Sequence, residues 1–142
     1  MDVQSCLNIL RDSGVDVDAA VDRLMGNGEL YLKFVKRLPE QLNLAVIREA
    51  LARRDAETFH FYLHTLKGFA SNLGITEIAG KAQAGLIEFR AAQFRSAAKL
   101  ERCLEEIEAA GEKVSAVLME MEAAEHAHEE KGQGGTECAA PY

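Results

Sequence analysis

Three observations make this an all-α protein. Only two prolines interrupt 142 residues, runs of β-branched residues are few, and the strong helix formers Ala, Leu, Glu, Lys and Arg abound. Apolar residues recur at three- and four-residue spacing through most of the chain. Hydrophobic residues make up 48% of the total, enough for one modest domain with a real core.

The elements follow in order. Residues 1–13 carry Val3, Leu7 and Leu10 on one helical stripe, a short N-terminal segment that must dock to persist. Gly14 ends it, and Asp16 to Met25 reads as a second helix with acidic residues at its start and Gly26-Asn27-Gly28 as its stop. Glu29 to Arg54 carries Leu30, Phe34, Leu38, Leu42, Leu44, Val46, Ile47 and Leu51, and is expected to form one long helix kinked at Pro39. Asp55 suits the N-cap of a helix from Ala56 to Leu73, with Gly74 as its stop.

Thr76 and Glu77 open the next helix, expected to reach Ala91, with Ile78, Ala82, Leu86 and Phe89 as its apolar stripe. Gly80, Lys81 and Gly85 stand there where larger core residues are expected; small residues permit close helix approach, or the register shifts locally. From Gln93 to His126 a last helix steps through Leu100, Leu104, Ile107, Gly111, Val114, Leu118 and Met121. That heptad seam, interrupted at Gly111, fits a long bundle helix first and a dimer seam second. From residue 129 to 142 the composition turns to Gly, Thr, Lys and Glu, as expected of a flexible, disordered tail.

The helix through His64 carries the chemistry. At about 100° per residue, Glu57, His60, Phe61, His64, Lys67, Gly68 and Ser71 lie within roughly 60° of one line. Phe59, Tyr62, Leu66, Phe69, Ala70 and Leu73 lie opposite and read as the core face, which leaves the polar set towards solvent. A mid-helix glycine costs about 1 kcal/mol relative to alanine. At Gly68, one turn after His64, any side chain would shade the imidazole, so its use is access. Lys67 places a cation beside whatever anion the ring acquires. Together these residues describe a nucleophilic histidine with room for a phosphoryl group and a charge to hold it.

The run His64-Thr65-Leu66-Lys67-Gly68, followed by Ser71-Asn72-Leu73-Gly74, resembles the phosphoacceptor motif of the bacterial type of histidine phosphotransfer (HPt) domain. Asp16-Val17-Asp18-Ala19-Ala20, Glu29-Leu30-Tyr31 and Pro39-Glu40-Gln41-Leu42 are similar to the family as well, so the likeness spans roughly Gly14 to Leu118. The resemblance implies an antiparallel up-down four-helix bundle over residues 14–128, here with an additional short N-terminal helix. The short helix from Asp16 would lie across the bundle end. The implied function is that of a monomeric carrier in a two-component phosphorelay. His64 would accept a phosphoryl group from the aspartyl phosphate of a response-regulator receiver domain and pass it to another receiver, with a hybrid sensor kinase among the expected partners. Lys67 would offset phosphoryl charge, Gly68 would give access, and His60, Phe61 and Ser71 would belong to the partner-binding surface. Magnesium would sit on the receiver, and the chain itself would need no cofactor.

Other classes fit less well. A net charge of −7 disfavours nucleic acid and anionic membrane surfaces. No long apolar run and no charged-then-apolar stretch appears in the sequence, so neither a transmembrane helix nor a signal peptide is expected. Cys6, Cys103 and Cys138 are scattered and odd in number, as expected of reduced thiols in the cytoplasm. No glycine-rich nucleotide loop or magnesium-binding acidic cluster appears, so the chain is expected to be a phosphocarrier and not an enzyme acting on ATP. Two rival readings remain: a phosphorylation-silent adaptor that docks a receiver or kinase on the same face, and a small metal-binding bundle using His60 and His64. The second lacks a third ligand on its helix, and Lys67 would repel the ion.

Overall fold

The computed structural model describes residues 2–132, with side chains through Ala124. Among these residues the chain is all-helical, without strands. In order come α1 (Val3–Asp12), α2 (Val17–Arg23), α3 (Gly28–Val35), α4 (Leu38–Leu42), α5 (Leu44–Arg53), α6 (Ala56–Asn72) and α7 (Thr76–Ala92). A 3-10 turn (Gln93–Ser96) then leads into α8 (Ala97–Gly132).

The N-terminal segment docks. Asp2 caps α1 by accepting from the Ser5 N–H at 2.8 Å, which holds its carboxyl below the ordinary range. Cys6, Leu7 and Leu10 are buried, and α1 packs on α3 and α8. The second helix is shorter than expected at its C-terminal end. Met25, at φ 60°, takes the left-handed turn just before Gly26 at φ 81°, so the chain leaves the helix before the glycine.

One expectation is corrected outright. Glu29 to Arg54 is not one kinked helix but three pieces, α3, α4 and α5. Pro39 lies in the first turn of α4, where its missing N–H has no partner to lose, so the preceding helix ends at Val35 and a new one begins. A second break falls at Asn43, which adopts φ 48° between α4 and α5; asparagine tolerates that left-handed conformation better than most residues.

The connection between α6 and α7 is tied to the N-terminal helices by backbone and side chain. Asp16 donates its N–H to the Gly74 carbonyl at 2.8 Å, and the buried Tyr31 hydroxyl donates to the Leu73 carbonyl at 2.8 Å. Burial, reinforced by the Asp16 carboxylate, pushes the Tyr31 phenol well above its ordinary 10.0. A phenol whose ionisation is suppressed only in the folded state stabilises that state fully below pH 10.0. This contribution is lost as pH climbs from there towards the folded-state value. Tyr31→Phe leaves the Leu73 carbonyl without its donor and is expected to cost about 1–2 kcal/mol at neutral pH. It should also flatten the alkaline arm of the stability curve, both effects being read by urea unfolding between pH 7 and 11.

Helix α7 runs antiparallel to α8, as its cross-pairs show: Lys81 with Glu106 at 3.7 Å and Glu77 with Lys113 at 3.6 Å. The small residue at position 85 permits close approach and marks no register shift. A Cβ at Gly85 would lie 2.7 Å from the Cys103 Sγ of α8 and 3.3 Å from a Leu63 methyl of α6. Cys103 donates its S–H to the Lys81 carbonyl at 3.2 Å, and burial raises its thiol. Gly111, the interruption of the heptad seam, is where Leu42 of α4 enters; a Cβ there would meet the Leu42 methyl at 3.0 Å. The apolar seam residues Leu100, Leu104, Ile107, Val114, Leu118 and Met121 are all buried in the chain's own core. Helix α8 continues past His126 to Gly132, four residues into the segment expected as tail; residues 133–142, with Cys138, lie outside the described residues.

Candidate functional site

Helix α6 starts at Asp55, whose side chain accepts from the Thr58 N–H at 3.2 Å and from the Thr58 hydroxyl at 2.8 Å. The hydroxyl bond, followed by the backbone one, lowers the Asp55 carboxyl. The helix is then held from behind. Phe59 is fully buried and meets Phe89 of α7 at 4.9 Å between ring centroids and Phe94 of the 3-10 turn at 6.1 Å. Phe94 had no part in the expected core, because its place there depends on the break at Gln93 (φ 53°) that turns the chain back.

The buried arc of α6 is Phe59, Leu63, Leu66, Ala70 and Leu73. Leu63 replaces Tyr62 and Phe69, which are half-buried, because α5 and α7 both flank this helix and centre the arc on Phe59. On the outer side, His60, Phe61, His64 and Ser71 are exposed, with Phe61 at 59%, while Lys67 and Gly68 are half-buried.

His60 and His64 stack one turn apart, with ring centroids 5.6 Å apart and planes 22° from parallel. Side chains on a helix lean towards its N-terminus, so the His64 ring lies over the turn that carries His60. The two imidazoles share a shallow, open depression with Glu57, Phe61 and Thr65 of α6 and Phe89 of α7. Phe89 was expected only as core, and its proximity to His64 depends on how α7 crosses α6. Ser71 lies two turns further on, outside this depression.

Lys67 has no ion-pair partner among the described residues, so its ammonium is available to an incoming anion. Gly68 is informative in another way. Among the described residues a Cβ there would meet nothing within 4 Å, and its backbone is ordinary helix, so neither packing against them nor conformation demands glycine. Among the described residues no three His, Cys, Asp or Glu side chains gather closely enough to hold a metal ion. No helix among them is long and apolar enough to cross a membrane.

Chemically, this is an exposed imidazole with a second imidazole stacked one turn before it, while Lys67 and Gly68 follow three and four residues further along the same helix and do not line the depression. Such a group can act as a nucleophile towards an electrophile presented from outside. Compared with family models, curated proteins and solved structures, the chain matches none.

Proposed function

We propose that the chain is a histidine phosphotransfer protein, with His64 as the phosphoacceptor. In this reading α3, α4 and α5 form one broken arm of an up-down four-helix bundle, α6, α7 and α8 form the other three, and α1 and α2 close one end. The neutral imidazole attacks through Nε2 at the phosphorus of an aspartyl phosphate on a receiver domain. The N–P bond forms, the P–O bond to the aspartate breaks, and the carboxylate leaves with its electron pair. Magnesium on the receiver supplies most of the electrostatic stabilisation, and Lys67 offsets charge on the phosphoryl oxygens. The reverse reaction hands the group to a second receiver.

The observation that carries this reading is the empty space over Gly68 beside an exposed His64. A mid-helix glycine with open space above it is not unique to this position, since Gly80 on α7 is equally open; it is the place of Gly68 one turn after the exposed His64 that makes the space read as room for an approaching partner. Gly68→Ala is therefore expected to raise stability by up to about 1 kcal/mol. The same change should slow phosphoryl transfer by roughly tenfold to a hundredfold through displacement of the partner. Thermal unfolding and a transfer time course on one preparation check both; a stabilised variant with undiminished transfer would remove the support. Exposed Phe61 supplies the apolar anchor that a docked receiver needs.

The direct test mixes the purified protein with a receiver precharged from a small phosphodonor and reads intact mass before and after mild acid. One acid-labile phosphate per chain supports the carrier reading. A receiver that binds tightly but never transfers supports the adaptor reading in its place.

A further inference from the structure

Away from the His64 depression, the C-terminal end of α6 closes a cleft of about 490 Å³ together with α2, α3 and the start of α4. Its size falls in the range of small-molecule sites, roughly 300–1,000 Å³. Leu24, Phe34, Phe69 and Leu73 make its floor, and Arg23 and Arg37 stand at its rim. Leu73 is buried, and the other three are half-buried. They therefore present apolar surface that the core does not fully cover.

The two guanidiniums are only partly neutralised. Arg23 donates from Nη1 to the Asn72 carbonyl at 2.5 Å and the Ser71 carbonyl at 3.4 Å, which fixes it over the C-terminal end of α6. Those carbonyls carry about half a negative charge between them, so positive charge remains. No carboxylate pairs with Arg23 among the described residues. Arg37 has Glu40 at 3.9 Å, a largely exposed pair at 56% and 72% that binds weakly. In a chain of net charge −7, two such cations over an apolar cup are a local exception.

We propose that this cleft binds a small amphipathic anion, one aromatic ring system or short acyl chain bearing a single carboxylate, sulfonate or phosphate. The apolar body fills the space between Phe34 and Phe69, and the anionic head meets Arg23 and Arg37. A concave cup closed by several short elements suits such a ligand better than a protein surface, which needs about 800 Å² of matched area on each side. This site stands whether or not His64 carries phosphate.

The test uses 8-anilinonaphthalene-1-sulfonate as the probe and its uncharged relative N-phenyl-1-naphthylamine as the comparison, on the folded full chain. Saturable fluorescence at one site is expected, with amide shifts centred on Leu24, Phe34, Phe69 and Leu73 and a raised thermal midpoint. The uncharged relative should bind at least about tenfold more weakly. Arg37→Gln, which among the described residues breaks no ion pair but the weak one with Glu40, should weaken the sulfonate about tenfold, and Arg90→Gln on α7 should leave it unchanged. Equal affinity for the two probes, indifference to Arg37→Gln, or shifts scattered over the surface would each overturn the proposal.

Discussion

His64→Gln is expected to abolish phosphate incorporation, leaving no acid-labile mass increment under conditions that label the wild type to completion. Glutamine keeps a polar side chain of comparable length on an exposed helical position, so the fold should be untouched; circular dichroism and the unfolding midpoint serve as controls. The effect is all-or-none because no other group can replace a nucleophile that becomes covalently bonded. Lys67→Ala should behave differently: incorporation reaches the same end point but about tenfold more slowly, as suits a counter-charge that assists the transfer without bonding. Retention of a histidine-type phosphate in His64→Gln would shift the site to the stacked neighbour His60 and reject the assignment.

The largest structural effect is expected at Gly74. Its φ is +74°, and a Cβ there would lie 2.2 Å from the Asp16 carbonyl oxygen and 2.8 Å from its carbon. Gly74→Ala thus incurs the left-handed penalty of about 1–2 kcal/mol together with a clash against backbone that cannot rotate aside. The sum should reach roughly 3 kcal/mol or more, a fall of about 10 °C in thermal midpoint for a chain of this size. Gly80→Ala is the matched control, because a Cβ there meets nothing within 4 Å and the backbone is regular helix. It should be neutral or stabilising by up to about 1 kcal/mol. Equal midpoints for the two variants would show that the α2 to α6–α7 junction does not hold the domain together.

Much of this molecule was legible one helix at a time. The bounds of α6 and α7 follow from Asp55, Gly74 and Thr76, since caps and stops act through hydrogen bonds and φ values a few residues away. The exposure of His60, His64 and Ser71 follows from angular position alone, because a helix with one apolar arc must turn its other face to water. Local rules were weaker where two signals competed. The apolar spacing continues across Pro39 and by itself favours a kink in one helix, yet the proline restarts the helix and Asn43 breaks it again.

The residues themselves determined an all-helical chain, its principal caps, and the face that carries His64 with Lys67 and Gly68. Only the tertiary structure decided which small residues are used for packing and which are not. Gly85 and Gly111 admit Cys103 and Leu42, Gly74 admits the backbone of Asp16, and Gly68 and Gly80 admit nothing among the described residues. It also brought Phe89 to the edge of the histidine pair and gathered Arg23, Arg37, Phe34 and Phe69 around one cleft. These juxtapositions join residues tens of positions apart. They depend on how whole helices cross, a choice set by the summed fit of many side chains and written in no single local pattern.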